Sequence, residues 1–452
     1  MKLEHLKKIY LISPNFIKKA YSQIPWDIRM GKEYRKTLIF LNESLCWSEE
    51  KWKDYQSIKL RELLKFCKTN IPYYQRQFLK YEIDVNAKNV WKEFYKIPFI
   101  DKSIVTQNIN DFIPNKFIKS YSATTGGTTG KPMRTFYDKS SFHVEWAFKI
   151  FFWNKAIGYK PTDKKATFRG ISTKNKIYVD NPIYNEIRFS PFSMDNVNMK
   201  ILVRKLIDYN PLYIHGYPSA IEELSDYFRK HKCKIQNLKG IMLISENIYD
   251  YQKEKIEKIF NCKVYSFYGH SERVIFASML DDLDGYFAHP AYGITELIDK
   301  NHKVIARPEK LGELVGTGFI NKAMPLLRFR TADFSSWGHQ NSENCSPKLN
   351  KIKGRWSQEY LIGKNGKKIS LTALNMHSKV FTKIKKIQYI QNKIGLITLN
   401  LIPEVNFTVN DEKDILNQYA EKLGREFEIK TRYVSSLKKT RAGKVRFLIQ
   451  NL

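Results

Sequence analysis

The stretch of this sequence best equipped for chemistry is Tyr121 to Pro132, YSATTGGTTGKP, which packs four Thr, one Ser, three Gly and one Lys into twelve residues. Glycines let a backbone approach a bulky polyanion and adopt positive φ. Hydroxyls and amides donate hydrogen bonds to phosphoryl oxygens, and Lys131 adds charge. Thr124, Thr125, Gly126, Gly127, Thr128, Thr129, Gly130 and Lys131 are therefore a candidate phosphate-binding loop. It is not a Walker A loop, because Pro132 stands where GxxxxGK[ST] needs Ser or Thr. A Gly/Thr-rich surface turn shares this composition and is the plain alternative.

Regular elements must hold such a loop. In WKDYQSIKLRELLKFCKT, Tyr55, Ile58, Leu60, Leu63 and Leu64 recur at three- and four-residue intervals, and this spacing predicts a helical region over residues 1–95. From about 96 to 335, short apolar runs such as PLYIHGY, KGIMLIS and KVYSFYG alternate with amphipathic stretches such as AIEELSDYFRKH and YQKEKIEKIF. Strand followed by helix, repeated, predicts an α/β domain whose sheet is covered by helices on both faces. After Gly354 the pattern shifts to a smaller mixed unit ending in SLKKTRAGKVRF, which places a domain boundary near 354–358.

At 452 residues the chain exceeds one compact core, so two or more domains are expected. No run offers the roughly 18 uninterrupted apolar residues of a membrane span. The start, MKLEHLKKIYLISPNFIKKAY, lacks the apolar core and cleavage site of a secretory signal, so the cytoplasm is the default compartment. Cys46, Cys67, Cys233, Cys262 and Cys345 stand singly, without disulfide or zinc-ligand spacing. The net charge of +32 comes mostly from Lys spread along the whole chain, which reads as a solvated basic surface. No zinc-finger or RNP-type motif accompanies it, so no specific nucleic acid is expected as a partner. Peripheral attraction to anionic lipid headgroups stays open.

The order of further segments resembles the adenylate-forming enzymes, the acyl-CoA synthetases and their relatives. The loop ending in TTGKP is followed by Tyr268-Gly269-His270-Ser271-Glu272, similar to the family's YGxTE segment. Thr317-Gly318 through Met324-Pro325-Leu326-Leu327-Arg328-Phe329-Arg330-Thr331-Ala332-Asp333 is similar to its TG…MPLIRYRTGD segment. Gly354-Arg355 resembles the GR hinge, and Lys439-Thr440-Arg441-Ala442-Gly443-Lys444-Val445-Arg446 resembles the terminal PRTxSGKxxR element. Trp47-Ser48 and Ile71-Pro72-Tyr73-Tyr74 narrow the resemblance to the phenylacetate-CoA ligase branch, and within it to relatives from capsule and surface-polysaccharide gene clusters.

The resemblance implies an α/β fold with a large amino-terminal adenylate-forming domain, 1–354, and a small mobile α+β carboxyl-terminal lid, 355–452. It implies an ATP- and Mg2+-dependent ligase that converts a carboxylic acid to acyl-AMP and pyrophosphate. The acyl group would then pass to CoA, a sugar amine, an amino acid or a carrier protein. Asp333 would hold the ribose hydroxyls with Arg355 assisting, Tyr268 would face adenine, Glu272 would help hold Mg2+, and Lys444 would be the lysine of the adenylation step. Ser245 and Glu246 stand at the family's SGE segment, while His215, Gly216 and His270, with the stretch His289 to Gly293, fall where acyl pockets are lined. The plain alternatives are a salt bridge from Asp333 to Arg328 or Arg330, a solvated Glu272 at a helix start, a core role for Tyr268 and His215, and a solvated basic tail around Lys444. Ser245 and Ala332 depart from the family's glycines, and Ser357 from its usual hinge residue. The rival functional classes are a non-catalytic nucleotide-binding relative and a basic nucleic-acid- or membrane-associated protein.

Overall fold

The computed structural model describes residues 13–124, 133–169, 176–191, 194, 196–279, 285–339, 348–352, 360–364, 366, 368–370, 383–423, 426–439, 445–446 and 448–452. The described chain opens with helices α1 (Asn15–Ser22), α2 (Trp26–Glu43), α3 (Glu49–Asn70), α4 (Pro72–Lys80), α5 (Val90–Lys96) and α6 (Lys102–Gln107). Their boundaries follow from capping chemistry. Ser48, Asn89 and Asp101 each accept a backbone N–H at the start of α3, α5 and α6, and Pro72 opens α4 where its missing N–H costs nothing.

An antiparallel hairpin, β1 (Ser120–Thr124) and β2 (Arg134–Asp138), runs into α7 (Lys139–Ile157). Ala147, Phe148, Ile150, Phe151, Phe152 and Trp153 are all buried in α7, so this helix is apolar nearly all round and lies inside the domain. Then come β3 (Lys165–Phe168), β4 (Tyr178–Asn181), β5 (Glu186–Phe189), α8 (Asn196–Tyr209), β6 (Tyr213–Gly216), α9 (Pro218–His231), β7 (Gly240–Leu243), α10 (Asp250–Phe260) and β8 (Lys263–Gly269). Strands β5, β3, β6, β7 and β8 pair in parallel in that order, with β4 antiparallel at one edge. Every residue of β3, β6 and β7 is buried, as a sheet covered on both faces requires.

Beyond β8 the pairing becomes antiparallel through β9 (Phe276–Ser278), β10 (Tyr286–Ala288), and, after the separate β11 (Gly293–Ile298), β12 (Gly312–Gly318), β13 (Phe329–Ser335) sheet, through β14 (Lys348–Leu349). One apolar core fills the parallel sheet and its helices, and a second joins α3 to α6 with β11 to β13.

The carboxyl-terminal part holds β15 (Tyr360–Ile362), β16 (Lys368–Ser370), β17 (Ile384–Lys393), β18 (Leu396–Pro403), α11 (Val409–Leu423), β19 (Glu428–Tyr433) and β20 (Leu448–Gln450). It has its own core, built from Leu361, Tyr389, Ile397, Leu399, Leu401, Ile415, Tyr419 and Leu448. The molecule thus has a large amino-terminal α/β domain and a smaller carboxyl-terminal one, and the expected boundary near 354–358 lies outside the described residues. The small unit sits against α9. Arg229 pairs with Glu404 at 2.5 Å, Lys386 and Lys439 approach Glu223 at 3.6 and 3.5 Å, and Lys439 Nζ donates to the Pro191 carbonyl at 2.7 Å. Among the described residues no helix is long and apolar enough to cross a membrane.

Candidate active site

Three motif segments distant in sequence meet above the carboxyl ends of the parallel strands, the edge at which open α/β sheets take ligands. Tyr268 is the penultimate residue of β8, and its hydroxyl donates to Asp333 Oδ2 on β13 at 2.8 Å. Burial, reinforced by the Asp333 charge, pushes the Tyr268 phenol well above its ordinary pKa, so it stays a neutral donor. The salt-bridge alternative for Asp333 does not hold. Arg328 forks onto Glu296 at 2.8 and 3.1 Å, and Arg330 onto Glu313 at 2.7 and 2.9 Å. The Asp333 carboxylate is partly buried within β13, and a carboxylate of this kind is able to accept hydroxyl donors.

The turn after β8 carries His270 and Glu272. The Glu272 side chain is 6% exposed, so it is no solvated glutamate, and the turn is not a helix start. His270 Nδ1 lies 3.4 Å from Glu272 Oε2, outside hydrogen-bond alignment, and both ring nitrogens are buried without a hydrogen-bond partner. Unpartnered ring nitrogens beside a buried carboxylate fit a polar ligand such as phosphate and a hydrated Mg2+, a hard cation held through one or two carboxylates together with substrate phosphates. The geometry therefore puts His270 next to the candidate metal ligand.

The β1–β2 hairpin holds the candidate phosphate loop, pairing Thr124 with Arg134 at its tip. Residues 125–132 and the Thr124 side chain lie outside the described residues. The arms of the hairpin are tied to both other segments. Asn321 Nδ2 donates to the Phe136 carbonyl at 2.8 Å, and the Lys322 N–H donates to Asp138 Oδ2 at 2.7 Å. The Tyr137 hydroxyl donates to the Ser271 carbonyl within the Glu272 turn. Arg273 completes this contact. Its Nε meets Glu145 Oε2 at 2.7 Å, its other nitrogens donate to Ser141 Oγ at 2.8 Å and Tyr121 Oη at 3.3 Å, and its guanidinium lies 4.1 Å from the Tyr137 ring centre. Burial pushes the Glu145 carboxyl up, but Lys149 and Arg273 outweigh it and hold the carboxyl below its ordinary value. Gly318 is required by this packing, since a Cβ there would fall 2.5 Å from the Arg273 carbonyl oxygen.

The other anticipated residues are placed as follows. Glu246 turns both carboxylate oxygens to the start of α9, accepting from the Ser219 N–H and Oγ at 3.0 Å each, where the helix dipole favours a negative charge. Ser245 and Ala332, which replace expected glycines, keep the left-handed backbone with φ of 66° and 59°. His215 lies in the core on β6 against Trp153, 5.2 Å between ring centres, and burial holds its pKa well below the ordinary value. Gly216 packs directly on β3, because a Cβ would approach the Phe168 carbonyl oxygen to 2.8 Å. His289 is likewise a core side chain, enclosed by Trp52, Phe148, Phe152 and Phe287.

Arg355 and Lys444 lie outside the described residues, but the base of the Lys444 segment is defined. Lys439 and Val445 form an antiparallel bridge. The fully buried Gln388 of β17 donates Nε2 to the Lys438 carbonyl at 3.0 Å and the Arg446 carbonyl at 2.8 Å, and its Oε1 accepts from the Lys438 N–H at 3.1 Å. Neither Gln388 nor Arg273 stands out in the sequence, since each lies outside any recognisable pattern. The position of Arg273 directly after the YGHSE segment was the one available signal.

Known proteins resemble this chain in sequence and in fold. Residues 361–451 match the model of the CapK C-terminal domain. Over 99% of the chain and all of the relative, the sequence is 24% identical to Protein CapK of Staphylococcus aureus. It is 23% identical to the phenylacetate-coenzyme A ligase of Pseudomonas putida over 63% of this chain and 66% of that one. These relatives bear out the resemblance to the adenylate-forming superfamily. Within it the resemblance is to the phenylacetate-CoA ligase-like branch. The fold is that of 2-hydroxyisobutyryl-CoA ligase in its postadenylation state with R3-HIB-AMP, with a TM-score of 0.70 at 16% identity, covering 87% of this chain and 88% of that one.

Proposed function

We propose that this chain is an ATP-dependent carboxylate ligase that joins an acid to AMP with release of pyrophosphate and then transfers the acyl group to an acceptor. The observation that carries the reading is the convergence of the Tyr268–Asp333 pair, the buried Glu272–His270 turn and the hairpin of the phosphate loop at one sheet edge. In this reading the Asp333 carboxylate accepts the ribose hydroxyls, and Tyr268 bounds the adenine side. Loop residues Thr124 to Lys131 cradle the phosphates. Glu272 would hold Mg2+, which supplies charge neutralisation of the polyphosphate. The substrate carboxylate attacks the α-phosphorus in line, and positioning with charge stabilisation accounts for most of the rate. Lys444 would bridge the attacking oxygen and the α-phosphate, and the small domain would act as a lid that later rotates near Ser357 to admit the acceptor.

CoA is the first acceptor to consider, because the ligases this chain resembles are named for it. The full-length likeness to CapK supports a place in surface-polysaccharide synthesis, for which a sugar amine, an amino acid or a carrier protein would serve as acceptor. The test is ATP-dependent pyrophosphate release across a panel of carboxylic acids, with each acceptor class then added to the active acid. Acid-dependent release is expected with at least one acid. Tight MgATP binding with no release from any acid would favour a non-catalytic nucleotide-binding protein.

A further inference from the structure

We infer that Arg273 is a positioning residue that couples the Glu272 turn to the phosphate-loop hairpin, so that the metal carboxylate and the loop act on the polyphosphate as one unit. The inference rests on the proposed nucleotide site and adds a residue to it. Arg273 follows Glu272 directly, and its backbone N–H closes the turn onto the His270 carbonyl at 3.1 Å, with φ at 55°. Its side chain leaves the turn and enters the hairpin, where Tyr121 belongs to β1, Tyr137 to β2, and Ser141 and Glu145 to the first turns of α7. One planar fork thus touches both arms of the hairpin and the helix that follows it, which a flexible ammonium cannot reproduce.

The hydroxyl of Tyr137, the ring beneath the guanidinium, returns to the Ser271 carbonyl, so turn and hairpin are joined twice within three residues of Glu272. The guanidinium is nearly enclosed, with 10% of the Arg273 side chain exposed and 15% of its Glu145 partner. That burial makes loss of one partner costly, because it leaves the other charge unpaired. The side-chain contacts of Arg273 run to Tyr121, Tyr137, Ser141 and Glu145 of the hairpin and α7 and not to Tyr268 or Asp333, which assigns it to the phosphate end of the site.

The test compares MgATP with AMP on the full-length protein by calorimetry. AMP needs the Asp333 end but lacks the β- and γ-phosphates. Arg273→Lys is expected to weaken MgATP binding about ten-fold or more while AMP binding stays within about two-fold, on the scale of one charge-assisted hydrogen bond. Glu145→Gln, which frees Arg273 from its anchor, is expected to give the same split, with MgATP weakened and AMP nearly unchanged, and it serves if Arg273→Lys does not fold. Equal loss of both ligands would overturn the proposal, reducing Arg273 to a general packing residue, and so would unchanged MgATP binding in folded variants. If the wild-type protein bound neither nucleotide, the functional reading itself would fail, and the inference with it.

Discussion

Replacing Gln388 with Leu isolates the support of the Lys444 segment from the chemistry of the lysine itself. The wild-type side chain is fully buried and makes three hydrogen bonds, two to carbonyls and one from a backbone N–H, on both sides of that segment. Leucine fills nearly the same volume with no polar atom. At a net worth of about 1 kcal/mol per bond, separating the base of the segment would cost about 3 kcal/mol of local stability. If correct placement of Lys444 depends on that base, acid-dependent pyrophosphate release should fall by as much as about 100-fold, since each 1.36 kcal/mol is a factor of ten in rate. The substitution lies on the small domain's sheet, away from the Tyr268–Asp333 pair, so MgATP affinity should be preserved. Acyl transfer from a presynthesised acyl-adenylate should be preserved as well. Wild-type pyrophosphate release from a folded Gln388→Leu protein would refute the reasoning, because the segment would then be placed by something other than its Gln388 contacts.

Lys444→Ala should keep MgATP binding and lose pyrophosphate release by about 100- to 1,000-fold, the loss of one preorganised electrostatic contact; intact release would leave the basic-tail reading standing. Asp333→Ala should weaken AMP and ATP alike by at least about ten-fold, since each hydrogen bond to a charged group contributes about 1.5–3 kcal/mol, and unchanged titrations would remove the ribose assignment. Stability should depend on pH through two buried histidines. Burial holds His289 at a pKa of about 3 and, with Arg169, His215 well below its ordinary value. Below the unfolded value near 6.5 the unfolded chain therefore binds more protons than the native one. His289 should remove roughly 1 kcal/mol of stability by pH 5.5 and His215 should act in the same direction, and urea titrations flat between pH 7.5 and 5.5 would contradict this. Ala332 holds a φ of 59°, so Ala332→Val should lower the melting temperature, and Ala332→Gly should not.

The reason some of this site could be read from the sequence, and some could not, lies in what each residue type can reveal alone. Tyr268 and Glu272 sit near the end of β8 and in the turn after it, so a short apolar run followed by a polar group marks them, while Asp333 lies within β13 and is marked by its RTAD segment. The alternation of such runs with amphipathic helices also made the parallel sheet legible. Glu246 carries the same kind of signal, a carboxylate after an apolar strand, yet both its oxygens meet Ser219, 27 positions earlier in the chain. His215 and His289 look reactive in one dimension, and only the aromatic rings gathered from α3, α7 and β10 show them to be core. Arg273 and Gln388 are the opposite case. On a chain of net charge +32 one more arginine is unremarkable, and a glutamine on a strand suggests a solvent face. Their roles arise from partners 132 and 50 residues away, respectively. Ser245 and Ala332 point the same way: a sequence pattern reads them as lost glycines, whereas both keep the glycine-like backbone with positive φ. Ala332 keeps its left-handed turn with its N–H on Glu313, the carboxylate that also holds Arg330, so the segment presenting Asp333 is set by tertiary contacts that override local preference.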